Sequence, residues 1–232
     1  MSWRGAMAEL ILALDTPRAA DALRLLDRLP ALRWVKVGSS LMTREGPDFL
    51  RQLTGRGLKV FLDLKWHDIP NTVAGAVTAA RELGVSMATV HTLGGGVMLE
   101  AAAVAAGGAV ALVGVTVLTS HDAAGYARVV GRTEVDLPSE AERLAIAAMD
   151  AGLQGIVCSP QEVSLLRRKL GSGAEIVVPG IRRRTDPAGD QARVATAKDA
   201  VSNGATYLVV GRPVLLAADP AAAFEEFLQE AE

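Results

Sequence analysis

Asp63 and Lys65 stand two residues apart in the run Phe61-Leu62-Asp63-Leu64-Lys65, and a second lysine, Lys36, interrupts the apolar run Trp34–Val37. Along a strand, residues i and i+2 leave the same face. Asp63 and Lys65 would therefore point together into one cleft, with Lys36 arriving from the neighbouring strand. Charges on interior strands are expensive unless paired. A Lys–Asp–Lys cluster in a low-dielectric cleft stays ionised and rigidly placed, which suits a reaction that moves carboxylate charge onto carbon and then delivers a proton. The bland alternative is an ion-pair network at a strand end. Asp68 lies past the strand end, before Pro70, where it reads as a cap for the following helix with Asn71 and Thr72 as rivals.

A second group of residues suits a phosphate. Gly180-Ile181-Arg182 and Gly211-Arg212 each follow an apolar run and offer backbone N–H groups and guanidinium forks. Gln191 is an uncharged donor that could reach the same anion. One Gly-Arg pair alone reads as a solvated loop; two pairs after successive strands point to a ligand. His67, His91 and His121 lack metal-ligand spacing, so no metal site is expected, and His91 reads as a hydrogen-bonded rim residue. Cys158 closes an apolar run with no adjacent cation and reads as a buried structural thiol. Arg183 and Arg184 are expected to face solvent.

The elements that must position these residues show in the hydropathy pattern. Apolar runs of strand length recur at Leu10–Leu14, Trp34–Val37, Val60–Leu64, Met87–Val90, Val110–Leu118, Ile156–Cys158, Ile176–Val178 and Leu208–Val210. They show little polar alternation, as parallel strands covered on both faces do. Helical periodicity fills Ala19–Leu29, Asn71–Leu83, Glu140–Met149, Gln161–Leu170 and Ala221–Leu228, and Gly84, Gly152, Gly171 and Gly204 stand where helices end. Alternating strands and helices predict an α/β fold, a (β/α)8 TIM barrel in a single domain over 1–232. The doubly wound sheet is the runner-up, without the glycine fingerprint that would support it. His121–Pro138 and Ile181–Gln191 are the longest stretches expected to be irregular. Nearly every run ends in a polar or charged residue: Asp15, Lys65, His91-Thr92, Thr119-Ser120, Arg182, Arg212. In a barrel these gather on the C-terminal face, where catalysis resides.

Composition excludes several classes. The 24 Lys+Arg against 26 Asp+Glu, with 4% aromatic residues, leave neither a basic face nor a stacking platform for nucleic acid. A single cysteine excludes an intramolecular disulfide. The uncharged stretch Ala101–Leu118 is rich in Ala and Gly and reads as a helix turning into a strand, not a membrane span. A cytoplasmic protein with no membrane association is expected.

Taken together, Leu12-Ala13-Leu14-Asp15, Val35-Lys36-Val37-Gly38, Asp63-Leu64-Lys65-Trp66-His67-Asp68-Ile69-Pro70-Asn71-Thr72, Leu118-Thr119-Ser120, Pro179-Gly180-Ile181-Arg182, Gly189-Asp190-Gln191 and Val209-Val210-Gly211-Arg212-Pro213 form an ordered set. The chain resembles the bacterial-type orotidine 5′-phosphate decarboxylases from about Glu9 to Phe227. The resemblance implies a cofactor-free conversion of orotidine 5′-phosphate to UMP, with Lys65 delivering the proton to C6 and Lys36, Asp63 and Asp68 completing a charge array. It further implies that Asp68, Ile69 and Thr72 enter the partner's site in a homodimer. Asp15 then contacts the ribose, and Thr119 or Ser120 the base. Arg182, Gln191, Gly211 and Arg212 hold the phosphate, with Pro179 beside the substrate. Ser39-Ser40, Trp66 and Val178 depart from the family pattern, outside the positions it makes catalytic.

Two rival functions remain. Sugar-phosphate enzymes of the same suprafamily share the DxKxxD strand but use Mg²⁺ to stabilise an enediolate. A catalytically silent phosphate-binding barrel would be expected to lack Lys65 or Asp63, and both are present.

Overall fold

The computed structural model describes residues 8–184, 186 and 193–231. Strands β1 (Glu9–Ala13), β2 (Trp34–Gly38), β3 (Lys59–Trp66), β4 (Met87–His91), β5 (Ala111–Val115), β6 (Gly155–Val157), β7 (Glu175–Val178) and β8 (Tyr207–Val210) each pair in parallel with the next. β8 pairs back onto β1 and closes the barrel. This is the predicted (β/α)8 architecture.

Around it run α1 (Ala19–Leu26), α2 (Ser39–Gly55), α3 (Pro70–Glu82), α4 (Gly96–Ala106), α5 (Ala123–Val129), α6 (Leu137–Asp150), α7 (Val163–Leu170), α8 (Ala197–Ser202), α9 (Arg212–Leu215) and α10 (Pro220–Glu230). The glycines at 84, 152, 171 and 204 all have φ between 74° and 104°, as their helix-ending positions require. No helix among the described residues is long and apolar enough to cross a membrane. The uncharged stretch 101–118 is indeed a helix followed by a strand: α4 ends at Ala106 and β5 begins at Ala111.

Strand alternation sorts the core into two shells. Ile11, Ala13, Trp34, Phe61, Met87, Val113, Val177 and Val209 fill the barrel interior. Their neighbours Leu10, Leu12, Val35, Val37, Val60, Leu62, Ala88 and Val90 face outward into the helical layer. Two residues further toward the C-terminal end, the inward positions are Asp15, Lys36, Asp63, Thr89, Val115, Pro179 and Gly211. The same pleat that builds an apolar floor therefore presents Asp15, Lys36, Asp63 and Thr89 at the mouth, on the side of β1 to β4.

Three local expectations are corrected. β5 stops at Val115 rather than Leu118, and the stretch 121–138, predicted irregular, contains α5 and the start of α6. α5 has only seven residues, too few to show helical periodicity. It is held by Asp122, which accepts from the Gly125 N–H at 2.6 Å, and by the Tyr126 hydroxyl, which donates to the buried Glu140 carboxylate at 3.2 Å. α3 carries no side-chain cap: Ile69 is its N-cap residue, Pro70 opens its first turn, and Asp68 accepts from the adjacent Ile69 N–H at 2.6 Å. Asn71 and Thr72 lie inside the helix, exposed.

Candidate active site

A chain of alternating charges crosses the mouth of the barrel. Asp15 Oδ1 lies 3.5 Å from Lys36 Nζ, Lys36 Nζ lies 3.5 Å from Asp63 Oδ2, and Lys65 Nζ donates to Asp63 Oδ1 at 2.8 Å. The Lys36 and Asp63 side chains are each 13% exposed, so water screens this part of the array little. Burial by itself would raise the Asp63 carboxyl. The ammonium groups of Lys36 and Lys65, with hydrogen bonds from Lys65 and Thr89, outweigh that and hold it below the ordinary carboxylate value.

The strand that carries this pair is not regular. Lys65 has φ 51°, the single non-glycine residue with positive φ among those described. The register of β3 against β4 shifts between Leu62 and Trp66. A left-handed lysine costs about 1–2 kcal/mol relative to an extended one. The Lys65 N–H, turned out of the ladder, donates instead to Thr89 Oγ1 at 2.8 Å. Asp63 and Lys65 do meet as simple alternation predicts, but through a strand distorted at the lysine.

Above the array opens a cavity of about 550 Å³. Of the residues picked out from the sequence, Asp15, Lys36, Asp63, Lys65, Thr119, Ser120, Pro179, Arg182, Gly211 and Arg212 line it. Asp68, Ile69 and Thr72 do not; they stand exposed at the start of α3. Gln191 lies outside the described residues. β7 is opposite β3 in an eight-stranded barrel, so the segments that carry Arg182 after β7 and Arg212 after β8 lie across the opening from the Asp63–Lys65 pair, and both arginines line the cavity. The Arg182 side chain is buried, its Nη1 donating to the Ile181 carbonyl at 2.8 Å, and its N–H is held by the Ala195 carbonyl at 2.9 Å. A basic end opposite a carboxylate-and-ammonium end fits an anionic ligand long enough to span the cavity.

Two pairings here were not anticipated from the sequence. Buried Arg193 forms an ion pair with buried Glu162, donates to the Leu118 carbonyl at 3.2 Å, and so ties the chain before Ala195 to the segment leading into Thr119. Arg183 does not face solvent as expected. It bonds Asp186 and Glu226 and stacks over Phe227, its guanidinium carbon 5.7 Å from the ring centre. Arg184 is exposed, as predicted. Thr89 has no counterpart among the residues picked out from the sequence: its parity with Met87 makes its inward face readable, but its contact with Asp63 depends on the β3–β4 register.

His91 accepts the Leu93 N–H at 3.3 Å and stacks on His67. Burial, with the nearby charges of His67, Lys65 and His121, brings its pKa down to about 4, so it is a neutral rim residue near pH 7. Cys158 is buried against the cavity wall, and burial raises its thiol well above the ordinary value.

Residues 8–227 match the orotidine 5′-phosphate decarboxylase / HUMPS family. The orotidine 5′-phosphate decarboxylase of Halorhodospira halophila is 51% identical, with 92% of each chain covered. That of Opitutus terrae is 46% identical, over 96% of this chain and 97% of its own. Among solved structures, the orotidine 5′-phosphate decarboxylase of Lactobacillus acidophilus superposes with a TM-score of 0.86 at 36% identity, covering 97% of this chain and 99% of that one. With a family match over nearly its whole length, and relatives this similar end to end, this chain belongs to the orotidine 5′-phosphate decarboxylase / HUMPS family.

Proposed function

We propose that this chain decarboxylates orotidine 5′-phosphate to UMP without a cofactor, as the last step of de novo pyrimidine nucleotide synthesis in the cytoplasm, with residues 1–232 acting as one catalytic unit. The observation that carries the reading is the Asp63 carboxylate held between Lys36 and Lys65, facing two arginines across a cavity of about 550 Å³. The names of the relatives supply the substrate.

In this reading the phosphate binds between Arg182 and Arg212, with Gln191 and the Gly211 backbone, and Pro179 lies against the substrate. Thr119 or Ser120 reads the base and Asp15 the ribose. The reacting carbon then lies over Lys65. Cleavage of the bond from C6 to its carboxylate leaves the electron pair on C6, in an orbital that the ring π-system cannot delocalise. Fixed charge must stabilise it. The Lys65 ammonium does so and transfers a proton to C6, becoming neutral until solvent reprotonates it. Asp63, bonded to Lys65, orients that ammonium, and Lys36 holds Asp63.

Asp68, Ile69 and Thr72 enter the site of a second copy in a homodimer. Their exposure outside the cavity supports this, as do the large apolar side chains exposed just after β3 and β4: Ile69 is 66% exposed, Leu93 37% and Val97 73%. An exposed cluster of large apolar side chains is what an interface between subunits covers.

The test is the ultraviolet absorbance of orotidine 5′-phosphate mixed with purified protein, with and without EDTA. Loss of substrate absorbance at a rate EDTA leaves unchanged is expected. Turnover that EDTA abolishes would instead favour the metal-dependent sugar-phosphate branch. Folded protein that binds UMP without turnover would mark a binding barrel.

A further inference from the structure

The hydroxyl of Thr89 touches both halves of the charge pair. It donates to Asp63 Oδ1 at 3.1 Å and accepts the Lys65 N–H at 2.8 Å. The direction of both bonds is forced, because a carboxylate only accepts, a backbone amide only donates, and the hydroxyl has one proton. Thr89 is fully buried on β4, and its register partner on the next strand is the apolar, buried Val113. Packing alone would be served there by valine, which has nearly the same shape.

We infer that Thr89 is a positioning residue for the reaction, its hydroxyl fixing the Asp63 carboxylate and the Lys65 backbone relative to each other. The inference rests on the proposed decarboxylase function. Asp63 Oδ1 receives both the Lys65 ammonium and Thr89, while Oδ2 faces Lys36. Thr89 therefore sets the rotation of the carboxylate and decides which oxygen meets which lysine. At the same time it gives the N–H of the left-handed Lys65 the partner that the shifted β3–β4 register withholds. Without the hydroxyl, the lysine backbone and the carboxylate are free to move independently, and the ammonium loses its aim at the reacting carbon.

The experiment compares steady-state kinetics and UMP affinity in the wild type and in Thr89→Val, Thr89→Ala and Thr89→Ser. Removing the hydroxyl is expected to lower kcat by about 10- to 100-fold, the scale of a misplaced catalytic group. KM and UMP affinity are expected to stay within about threefold, since the phosphate and base contacts come from other strands. Thr89→Ser, which loses the same methyl as Thr89→Ala but keeps the hydroxyl, should recover most of kcat. Folded Val and Ala variants with wild-type kcat would overturn the inference, and so would a serine variant as slow as the alanine one. If neither hydroxyl-free variant folds, Thr89→Ser against Thr89→Cys decides, because a thiol is a weak donor. Selective loss in the cysteine variant supports the inference, and equal kcat overturns it. Absence of turnover in the wild type would instead overturn the decarboxylase function, and this inference with it.

Discussion

The Lys65 ammonium reaches the Asp63 carboxylate at 2.8 Å from a backbone that has left the strand conformation, at φ 51°. The lysine is thus held by its neighbours rather than by the sheet ladder. Such a site maintains the ammonium in one place before the substrate arrives, which is the condition for electrostatic stabilisation without reorganisation. Lys65→Ala removes a fixed charge and the group proposed to donate the proton. A fall in kcat of roughly 10⁴-fold or more is expected, with UMP binding still measurable. Single-turnover assays and UMP titration check both halves; near-normal turnover would sink the assignment.

Asp68 stands outside the cavity formed by its own chain, exposed just before α3. If it serves the partner's site, Lys65→Ala and Asp68→Ala damage different subunits' contributions. Mixing the two inactive proteins should then regenerate sites that carry neither change. With random exchange between two-fold dimers, about a quarter of all sites are intact, and activity should recover toward that fraction. No recovery after subunit exchange, verified by native mass spectrometry, would rule out sharing.

At the opposite end of the barrel, Arg167 is buried and donates to the Gly171 and Ala174 carbonyls at 2.7 and 2.8 Å. It also donates twice to the Gly204 carbonyl, at 3.0 and 2.8 Å. These carbonyls lie where the chain enters β7 and β8, on the face that governs stability rather than catalysis. Arg167→Ala strips their donors and should cost about 3 kcal/mol or more. Urea denaturation would show the loss, while kcat at a temperature where the variant is folded should stay at the wild-type value. A large fall in kcat of the folded variant would contradict this division.

His91 supplies a pH dependence of known sign. Its folded pKa is about 4 against an ordinary value of 6.5, because burial disfavours the charged ring. Its contribution to stability is complete above pH 6.5. Between pH 6.5 and 4 the unfolded chain takes up a proton that the native chain does not, so stability falls, by at most about 1.4 kcal/mol per pH unit. His91→Asn should flatten the stability curve across that window. An unchanged slope in denaturation series at several pH values would show that the imidazole does not titrate there.

The eight apolar runs matched eight strands because parallel strands covered on both faces must be continuously apolar, and nothing else in a chain of this kind repeats so regularly. α5 escaped notice because its seven residues are too few to show a period, and what holds it includes a hydrogen bond from Tyr126 to Glu140 on the next helix. The capping role considered for Asp68 failed for a local reason: Ile69 occupies the N-cap position, so Asp68 stands one residue too early and its carboxylate accepts from the Ile69 N–H instead.

By itself the sequence determined the barrel and the gathering of charged residues at the C-terminal ends of its strands. Each of these follows from local pattern: burial, alternation and the expense of a charge on an interior strand. Only the tertiary structure decided how the charges are held. Thr89 joins Asp63, 26 residues away, to Lys65, 24 away, and Arg193 meets Glu162 across 31. Such contacts depend on barrel closure and on the register between strands, and a left-handed lysine is stable only when neighbouring strands supply the hydrogen bonds its own strand has given up.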